Sequence, residues 1–81
     1  MKIKVKLFGS MRRIVGQDEL DMEFTKGIKI DEIIERLLAD YPELEKPIKY
    51  TIISLNHVYA HGEEVIQNGD ELALLPPIAG G

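Results

Sequence analysis

The sequence predicts an α+β roll, in which one main helix covers one face of a sheet. Two segments near the beginning alternate apolar and polar residues, as strands do, and a third apolar segment follows a turn signal near the end. Between them lies a stretch with the apolar spacing of an amphipathic helix. The 81 residues are 44% apolar, which suits one small folded domain and is too apolar for a disordered chain.

The first two predicted strands form a hairpin with a small insertion. Residues 2–8 place Ile3, Val5 and Leu7 on one face, and residues 18–24 alternate in the same way. Gly9-Ser10 ends the first strand, and residues 11–16 are typical of a short helical turn that stops at glycine. The lysines of the first strand are expected to pair with acids on the second.

The main helix follows a turn at residues 25–27. Asp31 and Glu32 suit its first turn, where carboxylates favour the positive end of the helix dipole. Tyr41-Pro42 ends the helix, because the residue before proline resists helical geometry. Its apolar face consists of Ile30, Ile33, Ile34, Leu37 and Leu38.

The second half of the chain reads as short strands after a polar connection through Pro47. A turn at Asn56-His57 separates the first two, and a turn at Asn68-Gly69-Asp70 precedes the last. The apolar segments that we assign to strands or strand-like islands are residues 50–55, 58–59, 65–66 and 71–75.

Composition excludes several classes of function. The net charge of −4 argues against a nucleic-acid binder. We expect no membrane association and a cytoplasmic location, because the first strand alternates where a signal peptide would be an apolar block. No metal site is expected: His57 and His61 are four residues apart but lie in a turn-and-strand region, off any shared helical face. No glycine-rich phosphate loop is present either.

The end of the sequence is its most informative motif. The last strand runs into Pro76-Pro77, where sheet pairing must stop and the chain becomes extended, and the sequence then reads Ile78-Ala79-Gly80-Gly81. Glycines lack a Cβ, so their backbone can enter a narrow channel. We therefore expect one domain over residues 1–81, with 76–81 as a flexible tail that inserts Pro76, Pro77, Ile78, Ala79 and Gly80 into a partner and presents the carboxylate of Gly81.

Together these residues resemble the ubiquitin-like sulfur-carrier family, and within it the small subunit of molybdopterin synthase, with the thiamine sulfur carrier as a relative. The resemblance spans the chain and rests on residues 7–16, Leu55-Asn56, residues 68–72 and above all residues 75–81. It implies the β-grasp fold, a mixed sheet of four to five strands with one main helix on one face.

The resemblance also implies a mechanism and partners. A ubiquitin-activating-type adenylyltransferase would use ATP to adenylate Gly81, and a sulfur-donating persulfide enzyme would convert the adenylate into a thiocarboxylate. The large subunit of molybdopterin synthase would accept the tail and pass the sulfur to a pterin precursor. This chain would bind no cofactor and would act as a cosubstrate with no catalytic side chains of its own.

The same tail leaves other functions open. An activated Gly81 can form an isopeptide bond with a lysine of a target, which would make the chain a ubiquitin-like protein modifier. Sulfur donation to tRNA or to thiamine synthesis differs only in the final acceptor.

Strand alternation predicts a partner interface on the sheet face opposite the helix. Phe8 falls on the outer parity of the first strand, and Leu75 does so in the last strand if Leu72 and Leu74 face the core. Two apolar side chains without a role in the core, beside a functional tail, indicate an interface. Alternation leaves open whether Ile52 or Ile53 joins them.

Overall fold

The computed structural model describes residues 1–25 and 27–76. Its strands and helices follow the predicted order, with additions in the middle of the chain. The strands are β1 (Lys2–Leu7), β2 (Glu19–Glu23), β3 (Ile28–Lys29), β4 (Ile52–Leu55), β5 (Val58–Ala60), β6 (Val65–Ile66) and β7 (Glu71–Leu75). The helices are α1 (Gly9–Val15), α2 (Ile30–Asp40), a 3-10 turn (Pro42–Leu44) and α3 (Glu45–Ile48).

Five strands form one mixed sheet in the order β2-β1-β7-β4-β5. β1 and β2 are antiparallel with α1 between them, so the predicted hairpin with an insertion is confirmed. β7 lies at the centre, parallel to β1 and antiparallel to β4. Strands β3 and β6 pair separately as a small ribbon.

The core lies between the inner face of this sheet and α2. Ile3, Val5 and Leu7 are buried, as the alternation of β1 predicts, and so are Leu72 and Leu74. Helix α2 contributes a stripe of fully buried side chains to the same cluster, which confirms the predicted amphipathic helix. The members of this stripe are Ile30, Ile33 and Leu37. At the start of α2 the Glu32 carboxylate accepts the backbone N–H of Lys29 at 3.2 Å, one half of a capping box.

The segment predicted as a polar connection is helical. The 3-10 turn begins at Pro42, which suits a first helical position because proline has no N–H to satisfy there. Leu44 is fully buried, so this turn closes one end of the core. Sequence periodicity cannot detect an element with a single buried residue, since one residue defines no period.

The loop before β6 is organised around the carboxylate of Glu64. Its oxygens accept backbone N–H groups from His61 at 2.9 and 3.0 Å and from Gly62 at 2.8 Å. These hydrogen bonds stabilise the ionised form and so lower the pKa of Glu64, and the bond from Gly62 has the largest effect.

The same loop meets the start of α2, where the carbonyl of Gly62 accepts the N–H of Asp31 at 3.0 Å. Gly62 has φ 124, and a Cβ there would collide with the Asp31 carboxylate, so glycine is required.

A side chain in the turn between β4 and β5 ties that turn to the start of β7. Asn56 adopts φ 51, a left-handed conformation that asparagine tolerates. Its side-chain amide donates to Asp70 Oδ1 at 3.1 Å, and its side-chain oxygen accepts the N–H of Glu71 at 3.0 Å. The predicted Asn56-His57 turn is thereby confirmed and is anchored to the central strand.

We predict that Leu74→Ala lowers the free energy of unfolding by about 2–5 kcal/mol, because it leaves a cavity around a fully buried position of β7. Leu75→Ala, one residue later on the outer face, is the matched control and should cost a small fraction of that. Urea unfolding of both variants measures the difference. Equal losses would show that Leu75 is as important to the core as Leu74.

We also predict that Glu64→Gln destabilises the fold in a pH-dependent manner. The pKa of Glu64 is lowered in the folded state, so its contribution is present above its ordinary pKa and is lost as the pH falls through the lowered value. The urea midpoints of wild type and variant should therefore differ at neutral pH and converge in acid. Glu63→Gln, at a neighbouring exposed carboxylate, is the control. A difference that persists unchanged into acid would contradict this role.

Candidate functional site

The candidate site is the end of the sheet at which β7 finishes. Pairing stops at Leu75, and the exposed Pro76 follows, as the Pro-Pro step predicts. Pro76 lies against the junction of β1 and α1: a Cβ on Gly9 would be 3.7 Å from Pro76 Cβ. Pro77, Ile78, Ala79, Gly80 and Gly81 lie outside the described residues, so their predicted roles stay predictions.

Phe8 and Leu75 lie where strand alternation places them. Phe8 is 38% exposed at the start of α1, and neither side chain belongs to the core cluster. Leu7 pairs with Leu74, so Phe8, directly after the end of β1, follows next to Leu75 at the end of the adjacent β7. Their predicted role as a partner interface stays a prediction.

The structure answers the question that alternation left open. Ile52 is the direct partner of Leu75 and shares its outer face, whereas Ile53 pairs with the buried Leu74 and packs on the core. We call Phe8, Ile52, Leu75 and Pro76 the apolar patch. Alternation leaves this choice open because only the pairing of β4 with β7 decides which of two adjacent isoleucines faces outward.

The remainder of the outer face is charged near β2 and polar or small near its middle. Lys4 Nζ lies 3.6 Å from Glu19 Oε2, so a lysine of β1 does pair with an acid of β2. Lys6 Nζ instead lies 3.7 Å from Glu71 Oε1 on β7. Ala73 and Ser54 are paired in the middle of this face and are nearly buried. The apolar patch therefore stands beside surface whose charges neutralise one another.

A groove of about 250 Å³ opens beside the patch, between α1 and the chain after α3. Tyr50, at its edge, is 69% exposed. The Thr51 hydroxyl lies 3.2 Å from both Met11 Sδ and the Pro47 carbonyl oxygen, so it has acceptors within the wall. The residues that line the groove are Phe8, Ser10, Met11, Pro47, Tyr50, Thr51 and Pro76. Sequence patterns gave no indication of it, because its walls come from separate parts of the chain.

A second depression, on the other side of Phe8, is charged. Arg12 Nη1 and Asp18 Oδ1 lie 3.7 Å apart there, with both side chains largely exposed. Its lining also includes Lys6, Leu7, Phe8 and Glu19. Exposed ion pairs of this kind contribute little to stability.

The two histidines lie apart from the site. His57 Nε2 is 3.6 Å from Glu71 Oε2 and its side chain is exposed, while the His61 backbone bonds to Glu64. Across residues 1–25 and 27–76 no group of three or more His, Asp or Glu side chains could hold a metal ion. In the same ranges no helix is long and apolar enough to cross a membrane.

A five-stranded mixed sheet with one main helix on its inner face, and a central last strand leading to Pro76, defines a β-grasp, ubiquitin-like domain. A model of the ThiS family matches residues 5–81. The chain belongs to the ThiS family.

Two relatives that match over the whole of this chain share a name. The chain is 32% identical over 81 residues to the molybdopterin synthase sulfur carrier subunit of Arabidopsis thaliana, covering all of this chain and 84% of that protein. It is 31% identical over 83 residues to the protein of the same name from Chlamydomonas reinhardtii, covering both completely.

Solved structures confirm the β-grasp fold. A putative molybdopterin converting factor subunit 1 from Pyrococcus furiosus superposes with a TM-score of 0.87 at 24% identity, over 96% of this chain and 99% of that one. Small archaeal modifier protein 1 from Methanosarcina acetivorans gives 0.82 at 26% identity, over 99% and 96%. A protein–protein complex of subunits 1 and 2 of molybdopterin-converting factor from Helicobacter pylori gives 0.71 at 21% identity, over the whole of both chains.

Proposed function

We propose that this chain is the sulfur carrier subunit of a molybdopterin synthase and carries sulfur as a thiocarboxylate on Gly81. The observation that carries the proposal is the full-length match to relatives of that name, over a family model that extends to Gly81. The apolar patch supports it, because its exposed residues, Phe8 and Pro76, and its half-buried ones, Ile52 and Leu75, gather at the root of the tail and are suited to a partner that accepts that tail. In this proposal residues 1–81 are one domain and 76–81 are its tail.

The chemistry proceeds in three steps at the carboxyl group of Gly81. The carboxylate is a poor electrophile, so an adenylyltransferase of the ubiquitin-activating type joins it to the AMP part of ATP and releases pyrophosphate. A persulfide on the sulfur-donating enzyme then attacks the acyl adenylate and displaces AMP. A thiol cleaves the resulting S–S bond, forms a disulfide with the donor, and leaves the thiocarboxylate. ATP is bound by the activating partner in this scheme.

The large subunit of the synthase is the proposed acceptor of the loaded tail. There the terminal sulfur displaces an oxygen substituent from the side chain of the pterin precursor, and the arm makes this attack effectively intramolecular. Water then cleaves the bond between this sulfur and the carbonyl carbon of Gly81, which leaves the sulfur on the pterin and regenerates the Gly81 carboxylate. Phe8 and Leu75 contact the partner, together with Ile52, the cross-strand neighbour of Leu75 on β4. Pro76, Pro77, Ile78, Ala79 and Gly80 occupy the channel that leads to the acceptor's active site.

A ubiquitin-like modifier is the second candidate. The observation that favours it is the similarity to small archaeal modifier protein 1, at 26% identity and a TM-score of 0.82. The same activated Gly81 would then acylate a lysine amine and form an isopeptide bond.

We predict that deleting Gly80 and Gly81 abolishes sulfur loading and leaves the fold intact, because the change lies beyond the last strand. Incubation with the activating enzyme, ATP and the sulfur donor should add to wild type the mass that exchanges an oxygen for a sulfur. The truncated chain should show no such change and should keep the wild-type thermal midpoint.

Gly81→Ala is the companion variant at full length. It adds a methyl group beside the carboxylate, so it should be adenylated more slowly. If the chain that lacks Gly80 and Gly81 were still loaded with sulfur, Gly81 would not be the site of loading. Isopeptide adducts in native cells without thiocarboxylate, read by peptide mass analysis, would favour the modifier function instead.

We predict that Phe8→Asp combined with Leu75→Asp weakens binding of the large subunit at least about tenfold, since it places two charges in an apolar contact. Calorimetry gives the affinity, and amide dispersion shows whether the protein is folded. Val65→Asp is the control: it introduces one such charge at an exposed apolar position on the separate β3-β6 ribbon. Unfolding of the double variant would assign these side chains to the core, and unchanged affinity would exclude the apolar patch from the interface.

A further inference from the structure

The groove beside the apolar patch is suited to one apolar side chain. Its volume of about 250 Å³ lies just below the roughly 300–1,000 Å³ of pockets that hold small-molecule ligands. Of the residues that the structure describes, none that lines it is charged. The Thr51 hydroxyl lies 3.2 Å from acceptors in the groove wall itself, so it does not require a hydrogen bond with a bound side chain. The other two hydroxyls in the lining, those of Ser10 and Tyr50, belong to exposed residues and can keep bonds to water, whereas an apolar occupant gains contact with the aromatic and proline side chains.

The position of the groove indicates what covers it. Pro76 forms part of its wall and is also the first residue of the tail. Consecutive Cα atoms are 3.8 Å apart, so a protein that encloses the residues after Pro76 must approach this wall to within a side-chain length. Phe8 belongs both to the groove and to the apolar patch, so the two surfaces are continuous. The depression on the other side of Phe8 is charged and does not offer the same environment.

We propose that the groove lined by Phe8, Met11, Tyr50 and Pro76 is the socket for a large apolar or aromatic anchor side chain of the synthase large subunit. This inference rests on the proposed function. It extends the contact surface from the outer sheet face to α1 and to the chain that follows α3. It also assigns a binding role to Tyr50, which neither the tail nor strand alternation identifies. A side chain enclosed at the centre of an interface in this way is the usual form of a binding hot spot.

Two variants test the socket, one by filling it and the other by removing part of its wall. Ser10→Trp places a large side chain at an exposed position of α1 that lines the groove, and so fills the socket. Tyr50→Ala removes an exposed wall and leaves the core untouched. Each is expected to weaken binding of the recombinant large subunit from the same genome about tenfold or more, measured by calorimetry with the full-length chain.

Each variant has a matched control. Gln17→Trp introduces the same side chain at an exposed position outside the groove lining. Val65→Ala removes an exposed apolar side chain from the separate β3-β6 ribbon, away from the outer sheet face. Both controls should bind as wild type does. Amide dispersion should show that all four variants are folded.

The outcomes separate the two proposals. If wild type binds the large subunit and Ser10→Trp and Tyr50→Ala bind equally well, the socket is wrong and the proposed function stands. If the controls weaken binding as much as the test variants do, the effect is not specific to the groove, and the socket is again wrong. If wild type itself does not bind the large subunit, the proposed function fails and the socket fails with it.

Discussion

The position of β7 between β1 and β4 is the constraint on which the rest of the structure depends. This strand is hydrogen-bonded on both sides, parallel to β1 and antiparallel to β4, and carries Leu72 and Leu74 into the core. A strand held on two sides and packed through its inner face cannot shift its register without exposing both leucines. The point at which β7 stops, and therefore the start of the tail, is held in place by the whole sheet.

The same arrangement gathers the candidate site from distant parts of the chain. β1 and β7 are parallel, so both finish at the same end of the sheet, and antiparallel β4 begins there. Phe8, Ile52 and Leu75 consequently stand at one end, although they lie far apart in sequence. Gly9 lies against Pro76 at this end, which places α1 and the groove beside the root of the tail.

The charged side chains and the apolar patch occupy separate parts of the surface of this small domain. On the outer sheet face lysines of β1 lie opposite acids of β2 and β7, so that the face carries little net field around the patch. A partner that recognises the patch and groove must then rely mainly on apolar contact and shape. In the proposed function the tail carries the reacting group, so that binding and chemical reactivity are assigned to different residues.

The sequence by itself determined the period-2 strands β1, β2 and β7, the 3.6-period helix α2 and the outward parity of Phe8 and Leu75, because each follows from a local repeat of apolar residues. It also carried the tail motif, which needs no tertiary structure to be recognised. The tertiary structure decided that Ile52 faces outward, that Lys6 pairs with Glu71, and that Met11 and Tyr50 share a groove with Pro76. These are contacts between residues distant in sequence, set by how β1, β4 and β7 pair, and local periodicity contains no information about strand partners.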